Sequence, residues 1–269
     1  GFGGFNGFSG FSGGFNGNGY TINAMNLTGE YANAGLFSSI NSNATVTNLQ
    51  ISNAVINGSY TNAGVLAGVV NGSVDRIAIT DATISNVASN SFTGALAGVY
   101  NNSTLKMCYA ENVTINVGTD SAVVDATVGG LIGKINQATV QATYVNNSQI
   151  NVFENSTGLF GGFAGEFVIG TETGSIQQSY SNVESENVTM AAFINKISKA
   201  SGFAGTKASS IRYLIGNAAV INGATSVVAD YDDKIFVAFK DLSNSTYLIS
   251  EYQTFGDMIA DNNNLVFYA

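Results

Sequence analysis

The sequence of 269 residues contains no proline, no histidine and no tryptophan. Proline normally makes up about 5% of a protein, and it cannot donate a hydrogen bond to a β-ladder. Its absence suits a chain in which nearly every backbone N–H serves a sheet; an unusual composition without structural cause is the other interpretation. The absence of histidine removes the most common general base at neutral pH, which disfavours an enzyme.

Charged residues are also scarce, at 10% of the chain, against roughly a quarter in ordinary domains. Acidic residues outnumber basic residues by 18 to 9, which gives a net charge of −9. Nucleic acids and anionic membrane surfaces attract basic proteins, so we expect neither as a partner. Hydrophobic residues make up 45% of the chain, which excludes a disordered protein and leaves Asn, Ser, Thr and Gly to form a polar surface.

A single cysteine, Cys108, excludes an internal disulfide framework. Its neighbours Leu105, Met107 and Tyr109 predict a buried small side chain rather than a reactive thiol. No apolar run approaches the roughly 18 residues of a membrane-spanning helix, so we expect no membrane insertion. The chain begins at Gly1 without a recognisable signal peptide. We therefore expect that a targeting segment has been removed or that the sequence is a portion of a longer protein.

A glycine-containing block recurs along the chain and combines small residues with a Leu or Phe and a following Ala or Ile. Its copies cover residues 64–68, 94–98, 129–133, 161–165 and 201–205, with a degenerate copy at 33–38. The last residues of these six blocks are 30, 30, 35, 32 and 40 residues apart. A period near 30 with tolerated insertions is typical of a solenoid.

Each block is followed by two short segments of alternating apolar and polar residues, which predict strands with one inward face. An Asn or Asp separates the two segments, and because these residues tolerate left-handed backbone geometry we expect them to form corners. The predicted corners are Asn53, Asp81, Asn112, Asn146, Asn182 and Asn217. No sustained helical periodicity occurs up to about residue 228, which favours a parallel β-helix. A propeller is the second choice, but its blades repeat at about 40–50 residues.

The repeats resemble those of the GLUG-motif family, named for a Gly-Leu-hydrophobic-Gly core. Gly130-Leu131-Ile132-Gly133 matches that core directly, and Leu96-Ala97-Gly98 and Phe163-Ala164-Gly165 match it loosely. A following Cys-Tyr or Ser-Tyr step is present as Cys108-Tyr109 and Ser179-Tyr180, with Thr143-Tyr144 as a variant. The resemblance covers about residues 15–222. It implies a right-handed β-helix of a secreted or surface-anchored protein, and it implies no catalytic motif.

Both ends of the chain differ from the repeats. Residues 1–14 are a low-complexity arm or linker, in which phenylalanines recur every three residues among glycines: Phe2, Phe5, Phe8 and Phe11. A flexible linker is one interpretation; the other is an assembly arm that docks into a neighbouring subunit, because so many exposed phenylalanines would be costly in water. Residues 229–269 are acidic and predict a cap or a connecting segment, with a strand at 234–240 and a short helix at 252–259.

Asparagine is frequent, and eleven Asn residues start an N-x-[ST] sequence, the acceptor of N-linked glycans in secreted proteins. Asn57, Asn71, Asn101 and Asn155 are predicted to lie in turns and are the best candidates. Asn26, Asn43, Asn187 and Asn244 are further candidates, whereas Asn112 and Asn146 are expected to be too buried at corners. The alternative is that Asn and Ser or Thr simply serve the turns.

Catalytic and metal sites are not predicted. Polysaccharide-cleaving β-helices need clustered carboxylates or a base beside acids. Asp75 and Arg76 are adjacent on a predicted strand and are expected to point to opposite faces. Asp230, Asp232 and Asp233 have the spacing of ligands for a hard cation but lack the glycine turn and downstream glutamate of a calcium loop. No cofactor is predicted.

The sequence therefore predicts an all-β protein: a right-handed, single-stranded parallel β-helix over residues 15–228 with a small C-terminal cap at 229–269. Six or seven coils at about 4.8 Å each would make a rod roughly 30 Å long. The expected function is that of a structural subunit of an extracellular filament, sheath or adhesin stalk, a homo-oligomer assembled through its ends and the N-terminal arm. The alternative is a monomeric surface adhesin that binds carbohydrate, which exposed rows of Tyr or Phe would favour.

Overall fold

The structure is a computed structural model that describes residues 10–170, 174–177, 179–188, 190–191, 193–200, 214–216, 228–230, 235–241 and 246–252. Every secondary-structure element in these ranges is a β-strand, and the strands are numbered β1 to β27 in chain order. Across the same ranges there is no helix long and apolar enough to cross a membrane.

One sheet contains seven parallel strands, each contributed by a different repeat. These strands are β4 (Phe37–Ile40), β7 (Ala67–Val70), β11 (Ala97–Asn101), β16 (Ile132–Asn136), β20 (Ala164–Ile169), β23 (Ile194–Lys199) and β25 (Val228–Asp230). The first residue of each strand pairs with the first residue of the strand in the next repeat. The paired residues are 30, 30, 35, 32, 30 and 34 positions apart in the sequence. One repeat therefore makes one coil of about 4.8 Å rise, and the prediction of a parallel β-solenoid is confirmed.

A second sheet of eighteen strands wraps around the remaining faces of each coil. Its pairings are all parallel and join equivalent positions of successive coils, as for β5 with β8 and β18 with β22. Its strands in the first four coils are β1 (Gly14–Asn16), β2 (Thr21–Asn23), β3 (Asn26–Ala34), β5 (Thr45–Ser52), β6 (Val55–Ala63), β8 (Ser73–Thr80), β9 (Thr83–Asn86), β10 (Ser91–Gly94), β12 (Thr104–Lys106), β13 (Tyr109–Glu111) and β14 (Thr114–Val117).

The remaining strands of this sheet are β15 (Asp125–Gly129), β17 (Thr139–Gln141), β18 (Tyr144–Val152), β19 (Thr157–Gly161), β21 (Ser175–Gln177), β22 (Ser179–Glu186) and β24 (Leu214–Gly216). The C-terminal region adds an antiparallel hairpin of β26 (Ile235–Asp241) and β27 (Thr246–Tyr252). The strand predicted at 234–240 is confirmed. Tyr252, the predicted first residue of a helix, belongs to β27, and residues 253–259 lie outside the described ranges.

The core is a set of files of identical or similar side chains that run along the axis of the solenoid. One file, here called the leucine file, lies at the corner before each of six strands of the seven-stranded sheet. Its members are fully buried: Leu36, Leu66, Leu96, Leu131, Phe163 and Phe193. The backbone N–H of Leu66 donates to the carbonyl of Leu96, and that of Leu96 to the carbonyl of Leu131. Even the corner is therefore hydrogen-bonded along the axis, which leaves no buried backbone group without a partner at this point.

The glycine of the repeated block lies where two parts of the backbone approach closely. A Cβ atom on Gly98 would lie 2.7 Å from the nitrogen of Ala63 and 2.8 Å from the oxygen of Gly68. These are main-chain atoms of the preceding coil, so they cannot rotate away as a side chain would. The block thus fixes the distance between the two sheets, which explains why glycine recurs with the coil period.

The sixth block is not where the sequence pattern placed it. In the structure Ile194 pairs with Ala164, and the ring of Phe193 stacks on that of Phe163 with centroids 4.5 Å apart. Residues 193–195 therefore belong to the sixth corner without a Gly-Leu-x-Gly core, and the predicted block at 201–205 lies outside the described residues. Buried positions, rather than the glycines, set the register here.

The predicted corners are confirmed at Asn53, Asp81 and Asn112, whose φ angles are 55°, 54° and 55°. The prediction for the next coil is wrong by one residue, because Asn147 (φ 48°) takes the corner and Asn146 precedes it. Asn147 is in register with Asn112, since the pairs on both sides of this corner are 35 residues apart. Pairing between β18 and β22 shifts at this point, because β22 has one residue fewer here than β18. Asn182 lies within β22 and not in a left-handed turn, and Asn217 lies outside the described ranges.

Candidate functional site

Two surfaces of the solenoid offer binding features, and the first is the N-terminal end. Phe11 extends the seven-stranded sheet, since its N–H donates to the carbonyl of Ser39 and its carbonyl accepts from the N–H of Asn41, both at 2.8 Å. Its ring lies 4.9 Å from that of Phe37 and 6.5 Å from that of Phe15, centroid to centroid. Residues 10–14 are thus paired with the first full coil.

These rings surround an apolar cavity of about 430 Å³ at the end of the solenoid, lined by Gly10, Phe11, Ser12, Gly13, Phe15, Phe37, Ser38 and Ser39. Phe11 and Phe15 are only half-buried. Strands β1 and β2 pair on one side alone, with β5, in the described part of the chain. Of the predicted assembly residues, Phe11 therefore packs against its own coil, while Phe2, Phe5 and Phe8 lie outside the described residues.

The second surface is a column of tyrosines on the face formed by β13 and β18. Tyr109 pairs with Tyr144 in the backbone register, and their rings are parallel within 4° with centroids 4.9 Å apart. That separation matches the coil rise, so the rings stack along the axis. Tyr144 is 36% exposed. Burial, and then the nearby Tyr109 and Glu111, raise the pKa of the Tyr144 hydroxyl, so this phenol is a neutral hydrogen-bonding group at physiological pH.

The tyrosine column stops abruptly on its N-terminal side. In the preceding coil the equivalent position is Ala78, and in the coil before that it is Gln50. An alanine cannot cover a phenol ring, so in the described part of the chain no second ring stacks on the face of Tyr109 that points away from Tyr144. Ala78 also borders an open groove of about 420 Å³, lined by Asn18, Gly19, Asn48, Leu49, Gln50, Arg76 and Ala78.

Arg76 forms one wall of this groove, and its geometry corrects the sequence prediction. Arg76 occupies a left-handed corner (φ 54°), so its side chain does not point opposite to that of Asp75. Instead its guanidinium lies 2.8 Å from the Asp75 carboxylate and donates to the Asn48 amide oxygen at 2.6 Å. The side chain remains 51% exposed, which leaves guanidinium N–H groups open to the groove.

Carboxamide ladders run along the neighbouring corners. The Asn147 amide donates to the Asn112 oxygen at 2.6 Å, and Asn112 donates to Asp81 at 3.1 Å. A second ladder joins Asn182 to Asn146 at 3.0 Å. A third joins Asn136 to Asn101 and Asn101 to Asn71, at 3.1 and 3.0 Å. These bonds hold exposed side chains in fixed positions and make the polar surface regular.

The predicted glycan acceptors fall into distinct environments. Asn43 and Asn155 are exposed in turns. The prediction of a turn is wrong for Asn57, which is exposed within β6, and for Asn101, which is the last residue of β11. Asn26 and Asn187 are exposed, and Asn71 and Asn101 are half-buried in the ladder. Asn112 is exposed, contrary to expectation, and Asn146 is half-buried. Asn244 lies outside the described residues.

Cys108 is buried, as predicted, with 1% exposure. Its sulfur accepts from the N–H of Ile77 at 3.3 Å and donates to the carbonyl of Lys106 at 3.2 Å. Burial raises the pKa of this thiol to about 12. The thiol is therefore protonated and enclosed at neutral pH, which suits a structural role.

The outward face of the seven-stranded sheet carries a row of alternating charge that the sequence pattern did not reveal. Lys134 pairs in register with Glu166, and Glu166 with Lys196. The Lys134 ammonium lies 2.8 Å from the Glu166 carboxylate and 5.5 Å from the centre of the Phe92 ring. The row would have been visible from an alignment of outward positions once the register was known.

Within the described ranges no cluster of three or more Cys, Asp or Glu side chains is placed to hold a metal ion. Asp230 belongs to β25, and Asp232 and Asp233 lie outside those ranges. Comparisons of the chain with protein-family models, curated proteins and solved structures yield no match. The N-terminal end and the tyrosine column are therefore the two surfaces on which a function can be proposed.

Proposed function

We propose that this protein is a structural subunit of an extracellular filament, sheath or adhesin stalk of the GLUG-repeat type, and that it assembles through its ends. The observation that supports this proposal is the apolar N-terminal end, where half-buried phenylalanines border a cavity of about 430 Å³. The solenoid has no catalytic role in this proposal. Its polar, weakly charged surface and glycan-acceptor sequences suit an extracellular location.

The end of a parallel solenoid is a natural interface because its strand edges present N–H and C=O groups that need partners. At the N-terminal end, β1 and β2 each have one such edge in the described part of the chain. The partner that fits these edges is a second copy of the chain, whose coils have the same strand spacing. Head-to-tail contacts of this kind do not close, so they generate a fibre.

The N-terminal arm strengthens the same interface in this proposal. Gly10 borders the cavity, and the nine residues before it carry Phe2, Phe5 and Phe8. Phenyl groups contribute large apolar area to an interface. Arms donated between neighbouring copies would therefore bury surface that a monomer would expose.

Concentration-dependent light scattering and electron microscopy test this proposal. We expect the wild-type chain to form rods longer than the roughly 30 Å of one solenoid. Phe11→Ser, at the end, should raise the concentration needed for association at least tenfold. The matched control Val123→Ser replaces an apolar side chain that is 53% exposed away from the end, and it should associate like the wild type. A chain that stays monomeric at every concentration contradicts the proposal.

A second candidate function, carbohydrate binding by a surface adhesin, is favoured by the exposed tyrosine column. Stacked aromatic side chains with adjacent carboxamides provide an apolar platform and oriented hydrogen-bonding groups. Tyr144 is exposed, and Asn146 lies two positions further along the same strand. Binding of soluble oligosaccharides by the monomeric chain, measured by calorimetry, tests this function independently of assembly.

A further inference from the structure

We propose that the groove beside Tyr109 binds a neutral saccharide, one ring of which stacks on the free face of Tyr109. The proposal deepens the second candidate function, on which it depends, by assigning its site and ligand class. The site, here called the Tyr109 groove, consists of the groove residues Asn48, Gln50, Arg76 and Ala78 together with Tyr109, which pairs with Ala78 in the next coil. It spans the second, third and fourth coils.

The free ring face of Tyr109 is the first element of the site. Tyr144 covers one face of the ring at 4.9 Å, and the register places Ala78 on the other side. In the described part of the chain, no aromatic ring and no cation lies over that second face. The nonpolar C–H face of a pyranose ring fits such a surface, because an aromatic ring offers flat apolar area in a fixed orientation.

Polar groups along the groove are the second element. Gln50 and Ala78 occupy successive positions of the tyrosine column, while Asn48 and Arg76 occupy successive positions of the adjacent corner. The two rows are separated by one residue of each strand, and both repeat at about 4.8 Å along the axis. Amide and guanidinium groups in such rows can donate to and accept from the hydroxyls of a sugar ring that lies over Ala78.

Charge selects the class of saccharide. The Arg76 guanidinium is already paired with Asp75 at 2.8 Å, so the groove wall has little net charge. The whole chain carries a net charge of −9, which repels anionic polymers at long range. Uronic acid and sulfated polysaccharides are therefore disfavoured, and an uncharged hexose saccharide is the ligand that the site fits.

Ala78, which occupies the position of Tyr109 in the preceding coil, provides a sharp test. Ala78→Tyr would extend the tyrosine column by one ring, as Tyr144 extends it on the other side, and would cover the free face of Tyr109. The variant keeps the strand pattern, because aromatic residues favour strands, so loss of binding would not reflect loss of the fold. Tyr109→Ala removes the ring itself.

Isothermal calorimetry with hexasaccharides of glucose, galactose and mannose, and with an oligogalacturonate as the charged probe, measures the effect. We expect one or more neutral hexasaccharides to bind, the charged probe to bind at least tenfold more weakly, and both variants to lose at least tenfold in affinity. Tyr31→Ala is the matched control, since Tyr31 is 48% exposed and stacks on a different tyrosine, and it should bind like the wild type.

The results distinguish an error in the assigned groove from an error in carbohydrate binding itself. Neutral saccharides that bind equally well to Ala78→Tyr and the wild type would overturn the Tyr109 groove while leaving carbohydrate binding in place. Stronger binding of the charged probe would overturn the assigned ligand class. A wild-type chain that binds none of the probes would overturn both the groove and the second candidate function, without affecting the assembly proposal.

Discussion

At the scale of single residues, each fully buried side chain of the core is one member of a file and contacts equivalent residues above and below. Leu96 has no exposed surface and lies between Leu66 and Leu131 in the leucine file. Truncation of such a side chain removes contacts with both neighbouring coils and leaves a cavity that a rigid corner cannot close.

We therefore expect Leu96→Ala to lower the free energy of unfolding by about 2–5 kcal/mol. Val123→Ala removes methyl groups from a side chain that is 53% exposed, and it should change stability by less than about 0.5 kcal/mol. Urea unfolding followed by circular dichroism measures both variants. Equal effects of the two substitutions would show that Leu96 is not in a packed interior.

Cys108 predicts a specific dependence of stability on pH. Its pKa is about 12 in the folded protein against an ordinary value of 9.0, so folding favours the protonated thiol. The resulting stability is fully present below pH 9 and is lost as the pH rises from 9 towards 12, by roughly 1 kcal/mol per pH unit.

The variant Cys108→Ser isolates this effect. The equivalent positions of the next two coils are Thr143 and Ser179, whose hydroxyls are buried and lie 3.1 Å apart, so a hydroxyl is tolerated in this file. Between pH 9 and 11 the variant should lose less stability than the wild type in urea titrations. Identical slopes for the two proteins would contradict the burial of Cys108.

At the scale of elements, the corners need both a left-handed backbone and a side chain that hydrogen-bonds to the neighbouring coils, and asparagine supplies both. Asn112 adopts a φ of 55° and also takes part in two ladder hydrogen bonds, with Asp81 and Asn147. Asparagine is suited to both tasks, because its amide tolerates left-handed geometry and can donate and accept at once.

Two substitutions at this corner separate the effects. Asn112→Gly keeps the left-handed backbone and loses the ladder bonds, so it should cost about 1 kcal/mol. Asn112→Ala also forces a Cβ into left-handed geometry and should cost roughly a further 1 kcal/mol. Thermal unfolding of the two variants measures the difference. A glycine variant less stable than the alanine variant would contradict the corner geometry.

The sequence predicts the elements well where glycine spacing and burial agree, and less well where they diverge. Four corners from Leu66 to Phe163 lie where the repeated blocks indicate. The predicted interval between the blocks at 161–165 and 201–205 is wrong, because Phe193 and Ile194 continue the buried pattern without a glycine. Asn195 lies opposite Gly165 in the register. The fourth corner lies at Asn147 and not at Asn146, because Asn147 is in register with Asn112. The sequence does not distinguish these two adjacent asparagines, since either suits a left-handed corner.

The candidate sites were harder to predict than the fold. The Tyr109–Tyr144 pair follows from the repeated Tyr step once the coils are aligned. The Tyr109 groove does not, because it depends on Ala78, an unremarkable residue whose importance is its small size next to a ring. The pairing of Asp75 with Arg76 was missed because a corner replaces the expected alternation of the strand.

At the scale of the whole molecule, the solenoid is a rod whose properties repeat with the coil. Its core, corner ladders and outward columns all follow from the same register, so a binding feature on one face is automatically parallel to the axis. In the described part of the chain, β1 and β2 leave strand edges open at the N-terminal end. This geometry is why we assign assembly to the ends and ligand binding to the side.

The register itself can be measured by spin-label distances on the outward column of the seven-stranded sheet. Ser39, Lys134 and Lys196 occupy equivalent positions of this column, three and five coils apart. Labelled cysteine pairs at Ser39 and Lys134, and at Ser39 and Lys196, should be separated by roughly 14 Å and 24 Å of backbone distance. Native Cys108 is buried and should remain unlabelled. A Ser39–Lys196 distance equal to or shorter than the Ser39–Lys134 distance would contradict the stacked solenoid.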